Sequence, residues 1–147
     1  MRKFLITLMV LGLFAETAFA GGVGYINYEK VAANYQFAKN SFTEIENKGK
    51  EIQKYLETKE EEFDRIESPV QRKKFEDTVR KELTAKEKAF NDFRTKREEE
   101  IYNRIHVVSE KIRMEKGLDA ILDIRSVFSG GEDITDALIQ KLNEKPQ

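Results

Sequence analysis

The sequence predicts a mainly α-helical chain with a small β head (α+β), in which a long antiparallel helical hairpin, a coiled-coil arm, is inserted into a short-stranded oligomerisation head. Three observations carry this expectation. Charged residues make up 36% of the 147 and hydrophobic residues 39%, with no tryptophan and no cysteine, so the chain cannot fill one large globular core. Apolar residues recur with helical coiled-coil spacing over a long charged stretch. A single proline, Pro69, interrupts that stretch near its middle.

The N-terminus reads as a targeting segment. Arg2 and Lys3 give a positive start, residues 4–14 are an apolar run too short to span a bilayer comfortably, and Ala18-Phe19-Ala20 supplies a small-x-small cleavage signal. Residues 1–20 are therefore expected to be a secretory signal peptide cut after Ala20; the competing reading is an uncleaved anchor. Loss of Arg2, Lys3 and Glu16 takes the formal charge from −1 to −2. Without cysteine there is neither a lipidation site nor a disulfide framework, which leaves a soluble exported product.

From Val31 the positions 31, 35, 38, 42, 45, 49, 52, 56, 59, 63, 66 and 70 alternate spacings of four and three. All are apolar or aromatic except Gly49 and Lys59, a seam of period 3.5. Pro69 divides the stretch into two helices. Ser68 suits an N-cap, proline the first helical position and Gln71 the third, so Ser68-Pro69-Val70-Gln71 reads as a capping box. One helix is expected to end near Glu67 and a second to start at once and stop at Gly117. On that second helix Val79, Phe90, Ile101 and Ile112 lie eleven apart, a drift towards weaker supercoiling. Acid-to-base pairs four apart, such as Glu44–Lys48, Glu76–Arg80, Glu82–Lys86 and Glu100–Arg104, are expected to support the solvated faces.

In an antiparallel hairpin, facing residue numbers share a constant sum. A sum near 139 pairs Val31 with Val108, Ala38 with Ile101, Ile45 with Phe93, Leu56 with Leu83 and Phe63 with Phe75. It also sets Gly49 against Phe90 and the stem of Lys59 along Val79. The arm, residues 35–105 with its tip at 67–69, then reaches roughly 60 Å. Gly49 is expected either to make room for Phe90 or to serve as a flexible point of the arm. At the tip, residues 57–67 carry six acidic and two basic groups and residues 72–81 five basic and two acidic, so the facing halves are expected to neutralise one another.

The flanks, 21–34 and 106–147, are expected to form the head. Val23–Asn27, Asp119–Ile124 and Ser126–Ser129 are β-prone, and a short helix is expected to start from Asp133 as its N-cap. So small a head has too little core to stand alone and has open strand edges, so self-association is expected.

Chemistry is poorly represented. His106 is the only histidine and sits between Ile105 and Val107, as a packed or half-exposed residue would. With no cysteine, zinc and thiol chemistry are excluded. The Glu60–Glu62 and Glu98–Glu100 runs read as solvated helix faces, and Gly21-Gly22-Val23-Gly24 lacks the Gly-Lys-Ser/Thr of a phosphate loop. No enzyme, cofactor, metal or nucleic-acid partner is expected.

The signal peptide, the GYINYEKV segment (24–31), the charged hairpin, EKGLDAILD (115–123) and DITDALIQKLN (133–143) resemble the Skp/OmpH family of periplasmic chaperones across the whole exported chain. The resemblance implies a jellyfish-like homotrimer, with heads joined in a small β-barrel and arms hanging around a cavity. It implies an ATP-independent periplasmic holdase that binds unfolded outer-membrane β-barrel proteins and prevents their aggregation in transit. The alternative function is a structural coiled-coil spacer or adaptor of the cell envelope, against which the absence of an anchoring element counts. The slightly acidic chain leaves only weak contact with a membrane surface, and no lipopolysaccharide-binding position is assigned. Phe37, Phe42, Phe63, Phe75, Phe90 and Phe93 are candidates for client contact, but the seam needs most of them, so no client-contact residue is assigned.

Overall fold

The computed structural model describes residues 21–144. The expected signal peptide and its expected cleavage after Ala20 lie outside those residues. The elements are β1 (Val23–Ile26), α1 (Tyr28–Asn34), α2 (Gln36–Asp64), α3 (Pro69–Lys116), β2 (Ala120–Asp123), a 3-10 turn (Ile124–Ser126), β3 (Glu132–Asp133) and α4 (Thr135–Asn143). With 48 residues, α3 rises about 72 Å. It runs unbroken from tip to head.

The strands form one parallel sheet in the order β2-β1-β3, with Gly24 opposite Ile121 and Glu132 and Tyr25 opposite Leu122 and Asp133. Two of the three β-prone segments are strands. The third, Ser126–Ser129, is not. Asp123 accepts the Arg125 N–H at 2.9 Å and caps a 3-10 turn there. Gly130 and Gly131, at φ 79° and 90°, then bring the chain back to pair at Glu132. A Cβ at Gly131 would lie 3.0 Å from the Val23 carbonyl, so the close approach and the positive φ both require glycine. Helix α4 starts two residues after Asp133, whose Oδ1 accepts the Thr135 N–H at 2.9 Å from just outside the helix.

At the tip α2 stops at Asp64, short of the expected Glu67, and α3 starts at Pro69 with Ser68 extended before it. The capping box is not made, because the Ser68 side chain forms no cap hydrogen bond. Proline presets φ and carries no N–H, so it starts the helix without side-chain help. Instead, Arg72 Nε donates to the Ile66 carbonyl at 2.6 Å and closes the loop.

The hairpin register is as the constant sum requires. The Phe63 and Phe75 ring centroids are 6.3 Å apart, and Leu56, Lys59, Phe63, Phe75, Val79 and Leu83 line one open groove. The seam, however, drifts. Phe42, Leu56 and Val70, expected within it, are exposed, whereas Ser41 is buried and Tyr55 half-buried. A straight helix has 3.6 residues per turn, so a strict 3.5 repeat slides off the contact face by about 20° per heptad.

Full burial is confined to the head and the arm's root: Val31, Tyr35, Ala38, Ile101, Ile105, Ile112, Ile134 and Leu138 make one cluster with Ile26 and Leu118. Beyond the root, seam residues are half-buried or exposed. Ser109 is buried in α3 and its hydroxyl has no hydrogen-bond partner among the described residues. Ser109→Ala removes that unsatisfied group and improves helix propensity. A melt followed by circular dichroism is expected to show a higher Tm, equivalent to about 1 kcal/mol; a lower Tm would mean that the hydroxyl holds an ordered water.

Candidate functional site

The arm offers no enclosed cleft. Its chemistry lies in how charge and aromatic rings are shared between two helices. Of the acid-base pairs named four apart none is formed: Glu44 and Glu82 reach across the hairpin instead, and Glu100 turns to a cation three residues back on its own helix. Glu44 pairs with Arg97 at 2.8 Å, and Arg97 also holds Glu100 at 2.8 Å. Glu82 accepts the Tyr55 hydroxyl at 2.6 Å. Pairs four apart do occur at Glu46–Lys50, Glu61–Arg65, Lys88–Asp92 and Arg94–Glu98. Register decides which acids reach a partner. A cation on the facing helix competes with one on the same helix, and Arg97 bonds both ways at once.

Glu82 holds the Tyr55 proton in place and pushes the phenol up to about 12, with desolvation a lesser cause. Because the folded value lies above the ordinary 10, this clasp is fully present below pH 10. It is lost as pH rises through about 12.

A second pattern was not anticipated. Aromatic rings along the arm are roofed by cations: Lys48 and Arg97 over Phe93 at 4.9 and 5.3 Å, Lys86 over Tyr55 at 4.7 Å, Arg72 over Phe63 at 5.0 Å. At the root, Arg104 lies 4.1 Å over Phe37. Such contacts at exposed sites are worth about 0.5–1 kcal/mol each. The signal was present, since Phe90–Arg94 and Phe93–Arg97 are aromatic-cation pairs four apart and the constant sum brings Lys48 to Phe93. Lys59, expected along Val79, has its ammonium on Glu62 at 2.6 Å and 5.7 Å from both the Tyr55 and Phe75 rings. Among the described residues no ion pair joins 57–67 to 72–81, so the tip halves face each other without the direct pairing expected. Lys59 and Arg65 instead pair with Glu62 and Glu61 on their own side of the tip.

Gly49 lies beside Phe90, but not because alanine would crowd the ring. A Cβ there would sit 3.9 Å from Phe90 Cζ, ordinary van der Waals contact. Phe90 therefore does not need the room that glycine leaves at position 49. Gly49→Ala is expected to stabilise the arm by about 1 kcal/mol, the propensity difference in a helix interior. Chemical denaturation followed by helical circular dichroism measures it, and a destabilised variant would contradict it.

His106 is exposed and stacks on Tyr102, with centroids 6.1 Å apart and planes 3° from parallel. It is neither packed nor half-exposed, because the α3 face turned to the core carries Ile105 and Ser109. Among the described residues no group of three or more His, Asp or Glu is arranged to hold a metal, and no helix is long and apolar enough to cross a membrane.

The head exposes several apolar side chains. Alternation along β1 turns Gly24 and Ile26 to the core and leaves Val23 exposed. Leu122 and Ile124 are each 40% exposed, and Phe128, in the loop before the two positive-φ glycines, is fully exposed. Strands β2 and β3 each keep one unpaired edge.

Comparison with known proteins gives this architecture a family. The model of the family described as outer membrane protein (OmpH-like) matches residues 22–142. The chain belongs to the OmpH-like family. Among curated relatives of this OmpH-like chain, a Skp-like protein of Chlamydia muridarum is 27% identical over 172 aligned positions, covering 100% of this chain and 99% of the relative. A Skp-like protein of Chlamydia pneumoniae is 26% identical, covering 98% and 96%. The fold is similar to the crystal structure of a Caulobacter crescentus protein described as an OmpH-like outer membrane chaperone. Its TM-score is 0.60 at 13% identity, with 84% of each chain covered.

Proposed function

We propose that this OmpH-like protein is an ATP-independent periplasmic holdase that binds unfolded outer-membrane β-barrel proteins and keeps them from aggregating in transit. In this reading residues 21–34 and 106–147 are the head, 35–105 the arm, and residues 1–20 a signal peptide removed after Ala20. Heads associate as a homotrimer and the arms enclose the client. The observation that carries the proposal is the division of labour along the chain. Among the described residues every fully buried side chain lies in the head or the arm's root, while the arm beyond is a half-buried to exposed seam under a layer of balanced charge.

Unfolded β-barrel proteins expose apolar strands that aggregate in water. An arm whose rings are roofed by movable cations offers many weak contacts and no single adhesive patch. Each contact is worth well under ~1 kcal/mol, but many within a confined space give net binding through local concentration. Release needs no nucleotide, because a client that begins to fold withdraws the contacts. Gly49, half-buried in mid-arm, serves as a flex point. The head supports self-association in two ways: it exposes the apolar side chains of Val23, Leu122, Ile124 and Phe128, and its sheet leaves two edges open.

Two measurements test the proposal on residues 21–147. Sedimentation equilibrium is expected to give three chains per particle, and a stable monomer at micromolar concentration contradicts the assembly. Light scattering of a denatured outer-membrane β-barrel protein diluted into buffer is expected to fall when the chain is present. Unchanged scattering at stoichiometric excess contradicts the holdase.

A further inference from the structure

The chain passes from α1 to α2 through one residue. Tyr35 is extended, at φ −84° and ψ 117°. That break leaves the Gln36 N–H without a carbonyl four residues back and the Asn34 carbonyl without an N–H four residues ahead. One side chain takes both. Asn143 Oδ1 accepts the Gln36 N–H at 2.9 Å, and Asn143 Nδ2 donates to the Asn34 carbonyl at 2.9 Å. The amide stands in for the peptide groups that a continuous helix would have supplied.

Asn143 is the last residue of α4, and α4 is fixed to the head. Leu138 is wholly buried in the core. Thr135 Oγ1 accepts the Asn27 N–H at 3.0 Å, Asp136 pairs with Lys30 at 2.7 Å, and Lys141 pairs with Glu115 of α3. The amide is therefore a rung between a head-bound helix and the root of α2.

The two helices have different roots, and this sets the mechanics. Bending a helical pair requires one helix to slide along the other. α3 enters the head unbroken, so its root cannot slide. α2 is jointed at Tyr35, where a change of φ and ψ at one residue permits sliding. The buried Tyr35 and Ala38 side chains seat α2 against its neighbours, and the two Asn143 hydrogen bonds add a restraint at the joint itself. Directional hydrogen bonds resist sliding well.

We propose that Asn143 is a positioning residue: it latches the root of α2 and so sets the stiffness of the arm. The consequence for clients, a limit on the range of sizes accommodated, rests on the holdase reading; the latch itself does not.

The test uses residues 21–147. Because the chain has no cysteine, Lys54→Cys and Ala137→Cys place spin labels only on exposed positions of α2 and α4, diluted with unlabelled chain so that only distances within one chain are read. Asn143→Leu is expected to broaden the label-to-label distance distribution. It is also expected to accelerate hydrogen exchange of the Gln36 amide roughly tenfold. Asn143→Asp keeps an acceptor for Gln36 but loses the donor to Asn34, so Gln36 stays protected while the distribution still broadens. A parent-like distribution in Asn143→Leu overturns the proposal. If Asn143→Leu does not fold, a parent-like distribution in Asn143→Asp overturns it instead. Failure of the parent chain to suppress client aggregation would defeat the holdase reading and leave distances and exchange to judge the latch.

Discussion

Leu138→Ala is expected to unfold the head. Leu138 is 0% exposed and lies in the cluster that joins α1, α3 and α4. Truncating a fully buried leucine costs about 2–5 kcal/mol, the lost transfer energy plus the cavity left behind. Whole domains are stable by only about 5–15 kcal/mol, and small ones lie at the low end. α4 also carries the Asn143 amide and the Asp136 pair, so loosening it releases the α1–α2 break as well. The comparison that isolates burial is Leu56→Ala in the arm, where the side chain is 41% exposed and the cost is expected to be below ~1 kcal/mol. Melts followed by circular dichroism are expected to show a large loss of Tm for Leu138→Ala and a small one for Leu56→Ala. Equal shifts would mean that the arm, not the head, holds the fold.

Much of this architecture was legible from residue spacing. A 3.5-residue seam and one constant sum placed Gly49 beside Phe90 and Phe63 beside Phe75, because an antiparallel pair has one free parameter and several apolar residues vote on it. Pro69 marked the tip for a local reason, its effect on φ at one position.

What spacing missed depends on distant partners or on small angular differences. The break at Tyr35 is sustained by an amide at position 143, and nothing within the local window announces it. The third strand is two residues long, too short for any periodicity, and two glycines rather than β propensity set its position. Phe42 and Ser41 differ by 100° around a helix, so a modest drift of the seam exchanged their expected places. The charged pairs went astray because proximity along one helix was weighed without the facing helix, where Arg97 reaches Glu44. The Lys48 roof over Phe93 and the Lys86 roof over Tyr55 arise from the same facing geometry. The exposed apolar side chains of the head could be anticipated only as a need for partners, since they come from β1, β2 and the loop after β2.

Removing the arm is the other change with a large expected effect. Residues 42–93 contain no fully buried side chain: burial ends at Ser41 on α2 and resumes at Ile101 on α3. Replacing them by a short glycine-serine turn therefore leaves the core cluster intact, and the Asn143 bridge and the exposed apolar side chains of the head with it. The truncated chain is expected to fold and to associate as the full chain does, because self-association is assigned to the head. It is expected to lose the holding of clients almost completely, because contacts and confinement are both assigned to the arm. Single arm substitutions, by contrast, remove one weak contact among many and are expected to leave most of the protection in place.

The most direct measurement compares the two proteins, first matched for association state by sedimentation, in light scattering of a denatured outer-membrane β-barrel protein diluted from denaturant. Suppression by residues 21–147 and none by the truncated chain is the predicted result. Full protection by the truncated chain would contradict it and return the function to the head.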